Sequence, residues 1–246
     1  MQILYEDNHI IAVNKAPGEI VQGDKTGDTP LSEILKKYIK DKYNKPGEVF
    51  LGVPHRLDRP TSGVVLFART SKALTRLNEM FKDHEAIHKT YWALVQGAPQ
   101  QPEGRLENYL IRNEAQNKSY IVESRKSKVE SHIGESRKSK VESREGQNSK
   151  VESGAKLAIL TYKTLAKGDR YTLLEVELLT GRHHQIRCQL AAIGCPIKGD
   201  LKYGAKRSNP DGSICLHARQ ISFVHPVRKE PVTIIAPAPD WPVKGC

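Results

Sequence analysis

The sequence is poor in cysteine and has no long hydrophobic run. Its four cysteines, Cys188, Cys195, Cys215 and Cys246, form no CxxC pair, so neither a zinc ribbon nor a disulfide framework is indicated, and we expect reduced thiols. No apolar run approaches the ~20 residues that a membrane span needs. The amino terminus has no basic region followed by an apolar stretch. These absences exclude a fibrous or membrane-spanning protein, and we expect a cytosolic one.

Acidic residues are outnumbered by basic ones. The chain has 39 Lys and Arg against 28 Asp and Glu, which gives a formal net charge of +11. This excess indicates a polyanionic partner or an anionic surface, although a merely soluble basic protein has the same composition and charge does not distinguish RNA from DNA. A length of 246 residues allows one large domain or two small ones, either with a sizeable core.

Signatures of bound cofactors and metals are also missing. The sequence contains no P-loop and no dinucleotide-binding fingerprint. His183, His184 and Cys188 do not have the spacing of a standard zinc site. We therefore expect neither a nucleotide cofactor nor a metal.

One segment is unusually polar and charge-dense, HRLDRPTSG at residues 55–63. If the chain is extended through Leu57, burying that side chain directs Arg56 and Asp58 to the opposite face. A carboxylate then lies beside a guanidinium. On local sequence alone, Asp58 is first a turn or cap residue, because Pro, Thr, Ser and Gly follow it closely. Two apolar runs that predict buried strands flank the segment, at residues 49–53 and 64–68.

Further strands and helices are predicted along the chain. Apolar stripes at helical spacing predict three helices, one opened by Asp28-Thr29-Pro30, one capped at Thr70-Ser71 and one over residues 182–193. The start of the third helix is rich in arginine and histidine, which indicates an anion site. Apolar runs predict strands at 10–14, 89–95, 106–110, 118–122, 157–165, 171–178, 215–223 and 232–235.

A low-complexity stretch interrupts this pattern. The sequence ESRKSKVES occurs at residues 123–131 and again at 135–143, and SKVES returns at 149–153. These copies are too short and too polar to form a solenoid with its own core. We predict a disordered insert at 123–154 within a single domain that spans residues 1–246.

The motif HRLDRPTSG resembles the catalytic motif HRLDRxTSG of the RluA-type pseudouridine synthases at every defined position. Two further segments are similar to that family, VNKAPG at 13–18 and KTYWALV at 89–95, the latter matching KxYxALV. The stretch TGRHHQIRCQLAAIGCPIKGDLKYG at 180–204 resembles the third motif, GRxHQIRxH followed by lGhPilGDxxYG. Gln189 and Cys195 stand where that pattern has histidine. The resemblance covers nearly all of the chain except the repeats.

The resemblance implies an α+β fold, an extended, mostly antiparallel mixed sheet with flanking helices and a central basic catalytic cleft. It also implies an enzyme, expected to be a monomer, that isomerises uridines in rRNA or tRNA to pseudouridine without a cofactor. The bond from nitrogen 1 to the sugar breaks and a bond at carbon 5 forms. The residue sequence HRLDRP is similar to the motif of the tRNA-directed TruC branch, although enzymes that modify ribosomal RNA share most of this pattern.

The resemblance assigns roles to individual residues. It implies three catalytic residues: Asp58, Tyr91 and Arg187. Asp58 would either attack the sugar or remove a proton from it, with Arg187 as its cationic partner. The target base is flipped out of the RNA, Tyr91 stacks on it and Arg56 fills the vacated space. The expected substrate-binding residues are His55, Arg56, Arg59, Thr61, Arg182, His184 and Gln185.

Two other classes remain open at this point. One is an RNA-binding protein without catalysis, although the presence of Asp58, Tyr91 and Arg187 together argues against it. The other is a nucleoside or glycoside hydrolase. The usual glycosidase design needs two carboxylates beside the bond, and the sequence shows only one in a suggestive loop.

Overall fold

The computed structural model describes residues 1–24, 26–83, 85–122 and 154–241, which form a sheet of ten strands. The predicted insert at 123–154 lies outside these residues, apart from Gly154. Each predicted strand, apart from the one at 49–53, overlaps a strand of this sheet. The strands are β1 (Gln2–Glu6), β2 (Ile10–Lys15), β3 (Ser62–Ala68), β4 (Ile87–Gln96), β5 (Glu103–Asn113), β6 (Lys118–Val122), β7 (Lys156–Lys167), β8 (Tyr171–Leu178), β9 (Leu216–Val224) and β10 (Pro231–Ile235).

The sheet is mixed but mostly antiparallel, as the sequence predicts. The strand order is β1-β2-β3-β9-β4-β8-β7-β5-β6, and β10 also pairs with β9. The described strands pair antiparallel except β3 and β9, which run parallel with Ser62 opposite His217 and Gly63 opposite Ala218. This parallel step places β3, which begins within the 55–63 segment, beside β9 in the interior of the sheet.

Within the described residues, three helices pack on the sheet, α1 (Leu31–Lys42), α2 (Ser71–Lys82) and α3 (Gln185–Ala192). The cap predicted for α2 is confirmed, because the Thr70 side chain accepts a hydrogen bond from Ala73 N at 3.2 Å. The cap predicted for α1 is wrong. Its N-cap is Pro30 and makes no side-chain bond, while Asp28 pairs instead with Arg59.

The third helix begins three residues later than predicted. His184 precedes it with a φ of +51°, a left-handed conformation that a right-handed helix cannot contain. Residues 182–184 therefore form a loop that enters the helix. No helix in the described part of the chain is long and apolar enough to span a membrane.

Helices cover both faces of the sheet at strand β2. Alternate side chains of β2 enter two different apolar clusters, one on each face. Because both clusters are buried, the sequence of the strand is a continuous apolar run. Ile10 and Ala12 pack with Leu77 of α2. Ile11 and Val13 pack on the other face, where α1 contributes Leu31, Leu35 and Ile39. A third cluster packs Ile186 and Leu190 of α3 with β4 and β8.

The strand predicted at 49–53 is wrong. Only an isolated bridge forms, in which Gly52 N donates to Ala68 O at 2.8 Å and Ala68 N donates to Gly52 O at 2.9 Å. Val49 and Leu51 are nevertheless buried beside α1. Their apolar character reflects this burial, and Pro54 has no N–H with which to continue a ladder.

The glycine of the 55–63 segment is required by the parallel step. Gly63 has a φ of +112°, and a Cβ at that position would lie 2.6 Å from Ala218 N of β9. Both the backbone conformation and the close approach of two strands exclude a side chain there.

We expect Gly63→Ala to lower the free energy of unfolding by more than the ~1–2 kcal/mol that left-handed backbone costs a residue with a Cβ, because a backbone clash adds to it. Gly97→Ala is the matched control, since Gly97 has a φ of +71° and nothing within 4 Å of its Cβ position. Denaturant unfolding measures both. Equal losses would show that β3 and β9 separate easily.

Candidate active site

The 55–63 segment turns sharply after Asp58, but the turn uses the backbone of that residue. Thr61 N donates to Asp58 O at 3.0 Å. The Asp58 carboxylate points elsewhere and accepts a hydrogen bond from Arg187 Nη1 at 2.9 Å. Within the described residues, no backbone N–H donates to this carboxylate. A turn forms as local sequence predicts, yet the Asp58 side chain is not what holds it.

Arg187 is held between two carboxylates. Its Nε donates to Asp200 Oδ2 at 2.7 Å and its Nη2 to Asp200 Oδ1 at 2.9 Å, so Asp200 occupies one side of the guanidinium with two bonds. The third bond goes to Asp58. Burial on its own lowers the pKa of Arg187, but the bonds and charges of Asp200 and then Asp58 raise it overall. The guanidinium therefore stays charged and fixed in orientation.

A buried lysine anchors the loop from the other side. Lys15, at the end of β2, is fully buried. Its Nζ donates to the backbone oxygens of Ala16 and Arg59 at 3.0 Å each and of Thr61 at 2.7 Å. Burial lowers the pKa of Lys15 to about 8, which still leaves the ammonium charged at pH 7. Lys15 thus fixes the backbone that carries Asp58.

His184 faces Asp58 as a neutral group. Its Nε2 lies 3.5 Å from Asp58 Oδ2, which is long for a hydrogen bond. Burial lowers the pKa of His184 to about 3 despite the opposing charge of Asp58. Its Nδ1 lies 3.0 Å from the hydroxyl oxygen of Tyr203, which positions the ring. At pH 7, Arg187 is therefore the charged partner of Asp58.

A small pocket lies beside the Asp58–Arg187 pair. It has a volume of about 110 Å³. Tyr91 of β4 forms part of its wall, and burial, together with the charge of Asp58, raises the pKa of the phenol, which keeps it protonated. Thr61 is buried, and its Oγ1 has no hydrogen-bond partner among the described residues. Of the predicted site residues, the pocket brings together Arg56, Asp58, Thr61, Tyr91, Arg182, His184, Gln185 and Arg187.

A wider groove of about 460 Å³ shares Asp58 and Arg187 with the pocket. Arg59 lies along it and pairs with Asp28. Arg112 on β5 and Lys202 after α3 also line it. Neither residue was predicted from the sequence. Arg112 lies outside the motifs, and Lys202 occupies a position that the third motif leaves unspecified. The groove gives the expected basic cleft.

Two predicted substrate-binding residues have internal roles instead. His55 is not part of the pocket or the groove. Its Nε2 accepts a hydrogen bond from Leu66 N at 2.9 Å, and its ring stacks on Phe81 at 4.6 Å between centroids. Burial, with the charge of Lys89, lowers the pKa of His55 to about 3. The ring is therefore neutral at pH 7 and holds the start of the loop against β3.

Gln185 lines the pocket, but the protein already occupies its amide group. Its Oε1 accepts hydrogen bonds from Thr180 Oγ1 at 2.7 Å and Arg182 N at 2.9 Å, and its Nε2 donates to Ile159 O at 3.0 Å. Gln185 braces the loop that enters α3. The sequence alone does not show whether the amide of a glutamine at a motif position faces the ligand or the backbone of its own loop.

Sequence reasoning missed three residues that build the site. Lys15, Asp200 and Tyr203 lie within segments that match the family pattern, VNKAPG and GDLKYG. The signal was therefore present in the motifs. Their contacts with Arg187, His184 and the Asp58 loop depend on tertiary structure, which spacing along the chain does not reveal.

We expect Asp200→Asn to destabilise the fold much more than Asp58→Asn. Asp200 is 1% exposed and its loss leaves part of a buried guanidinium unpaired, which typically costs about 3–5 kcal/mol. The Asp58 side chain is 30% exposed and makes one of the three bonds, so its change should cost below about 1 kcal/mol. Urea unfolding measures the difference. Equal stability of the two variants would contradict the central role of Asp200.

Comparisons with known proteins agree with this geometry. A family model described as RNA pseudouridylate synthase matches residues 9–192. A tRNA pseudouridine synthase C of Pectobacterium carotovorum is 29% identical over 96% of this chain and 58% of its own length. A ribosomal large subunit pseudouridine synthase D of Xylella fastidiosa is 30% identical over 98% of this chain and 66% of its own length. The chain thus spans about three fifths to two thirds of these relatives.

The fold is also found in a solved structure. Human RNA pseudouridylate synthase domain containing 4 matches with a TM-score of 0.73 and 24% identity, over 97% of this chain and 89% of that one. The α+β architecture predicted from the sequence is therefore confirmed. The match of the family model over most of the chain confirms the resemblance seen in HRLDRPTSG, and the chain belongs to the RluA-type RNA pseudouridylate synthase family.

Proposed function

We propose that this protein isomerises uridine in structured RNA to pseudouridine, with Asp58 as the carboxylate that reacts at the sugar. One observation carries this proposal most directly. Asp58 is partly exposed, held by Arg187 at 2.9 Å and located beside Tyr91 in the small pocket. A carboxylate that is fixed, charged and open to a ligand suits a group that attacks or removes a proton.

The volumes of the two cavities suit a flipped nucleotide. The pocket of about 110 Å³ suits a single base, whereas the groove of about 460 Å³ offers room for the strand. The base would leave its stack and enter between Tyr91 and Asp58, at a cost of roughly a few kcal/mol in stacking. Arg56 is exposed at the junction of both cavities, where it can replace the departed base.

The rest of the pocket supplies contacts for a polar ring. Thr61 and the protonated Tyr91 both line it, and the buried Thr61 Oγ1 has no hydrogen-bond partner among the described residues. Hydrogen bonds to base edges and stacking on an aromatic ring are how proteins hold unstacked bases. Basic residues of the groove would hold phosphates and position the RNA without reading its sequence.

The class of RNA is open to experiment. One relative is named a tRNA pseudouridine synthase and another a ribosomal large subunit pseudouridine synthase, and the site itself favours neither substrate. Mapping modified uridines in cells with and without the gene would identify the substrate. The cytosolic location and the monomeric state remain predictions from the sequence.

We expect Asp58→Asn to abolish pseudouridine formation while RNA affinity stays near wild type, because asparagine keeps the size of the side chain and loses its charge. The matched control is Asp211→Asn. Asp211 is an exposed turn residue whose Oδ1 accepts a hydrogen bond from Ser213 N at 3.0 Å, a role that asparagine can keep. Turnover on bulk RNA and a binding titration measure both variants.

Three outcomes would contradict the proposal. Turnover by Asp58→Asn within tenfold of wild type would show that Asp58 is not the reacting group. Binding of RNA by the wild-type protein without any turnover would favour a binding protein. Release of free uracil would favour a hydrolase.

A further inference from the structure

Lys89 of β4 is a mostly buried cation to which the described residues give no partner. It lies two residues before Tyr91, and the residue is 9% exposed. Within the described residues, no carboxylate lies within ion-pair distance of its Nζ, and no hydrogen bond is formed by it. Buried lysines normally pair, as Lys15 does with three backbone oxygens, because an uncompensated charge is costly to remove from water.

A second cation lies close to Lys89. The Nε of Arg182 donates a hydrogen bond to Leu157 O at 2.8 Å. Arg182 also has no carboxylate partner in the part of the chain that the structure describes. Burial, followed by the charge of Arg182, lowers the pKa of Lys89. The two cations are therefore close enough for the charge of one to act on the other, and among the described residues neither has a carboxylate partner.

Lys89 lies next to residues that line the pocket. Arg182 and Gly181 line it, and a Cβ built on Gly181 would lie 3.9 Å from Lys89 Nζ. Asp58, the carboxylate that lines the pocket, is already engaged by Arg187. Among the described residues no carboxylate neutralises Lys89 and Arg182, so an anionic group of a ligand is the complement that this pair fits.

We propose that Lys89 and Arg182 form a phosphate subsite that binds an RNA phosphodiester next to the flipped uridine. This proposal rests on the proposed function of the pocket. A flipped nucleotide turns about its own backbone, so a phosphate group adjoins the pocket whenever the base is inside it. The subsite would fix the sugar relative to Asp58, while the groove residues hold more distant phosphates.

The test uses Lys89→Met, with Lys163→Met as the matched control. Lys163 is a lysine of the same sheet that pairs with Glu175 at 2.8 Å on an exposed surface. The first measurement is the Tm of each protein with inorganic phosphate and with chloride at equal ionic strength. Phosphate should raise the Tm of the wild type and of Lys163→Met, because a ligand that binds only the folded state stabilises it. Exclusion of phosphate from protein surfaces raises the Tm of all three proteins to a similar extent, so the rise in Lys89→Met should be smaller than in the other two by the contribution of the subsite.

The Tm without phosphate is a second readout. We expect Lys89→Met to melt at or above the wild-type temperature, because an unpaired buried cation is replaced by an apolar chain of similar length. A fall of many degrees, repeated in Lys89→Gln, would mean that the fold itself needs the ammonium. That result would overturn the proposal.

The third measurement is RNA binding against salt concentration, with the full chain. Lys89→Met should weaken binding roughly tenfold, the usual effect of losing a charged hydrogen bond, and should lower the salt slope by about 0.7 to 0.9. Lys163→Met should match the wild type. A reduced phosphate response with unchanged RNA affinity would mean that the site takes free phosphate rather than RNA, and would also overturn the proposal.

Failure of the subsite is distinguishable from failure of the proposed function. If wild-type protein forms pseudouridine and Lys89→Met shows normal affinity and normal salt dependence, only the subsite is refuted. If the wild-type protein forms no pseudouridine on any cellular RNA, the proposed function is refuted and the subsite with it.

Discussion

The buried guanidinium of Arg187 connects the parts of the chain that form the site. It lies on α3 and binds Asp200, 13 residues further along, and Asp58, 129 residues earlier. Taking these charges out of water costs several kcal/mol for each ion, which only mutual pairing with good geometry recovers. The 55–63 loop is therefore tied to α3 by charge, and the position of the Asp58 carboxylate follows from the position of the helix.

Other polar side chains around this pair bind the backbone of loops rather than the ligand. Lys15 holds the oxygens of Arg59 and Thr61, and Gln185 holds the loop before α3. Because these side chains form hydrogen bonds with loop backbone, they hold the loops in one conformation. Three side chains that form no hydrogen bond or ion pair among the described residues, Arg56, Thr61 and Lys89, lie at or near the pocket. This division between braces and free groups prepares the site before a ligand arrives.

The sequence predicted elements more reliably than contacts. Strand β2 and helix α2 follow from apolar periodicity, and Asp58, Tyr91 and Arg187 follow from motifs that keep their spacing. The failures have a physical cause in tertiary structure. His184 adopts a left-handed backbone that delays α3, and His55 turns inward to accept a bond from β3. Whether a motif histidine faces a ligand or the core depends on which neighbours bury it, and local sequence does not contain that information.

The two carboxylates on Arg187 also bear on the kind of reaction that the site can support. The usual glycosidase design has two carboxylates that flank the bond, one on each side. Asp58 and Asp200 both bind Arg187, so they are the pair to consider for that design. Asp200 is 1% exposed and both of its oxygens bind Arg187, so it cannot reach a substrate or exchange protons with one. Asp58 keeps one oxygen outside this network and is partly open. The same arginine thus leaves one carboxylate free to react, which agrees with an isomerisation that reattaches the base rather than a hydrolysis that releases it.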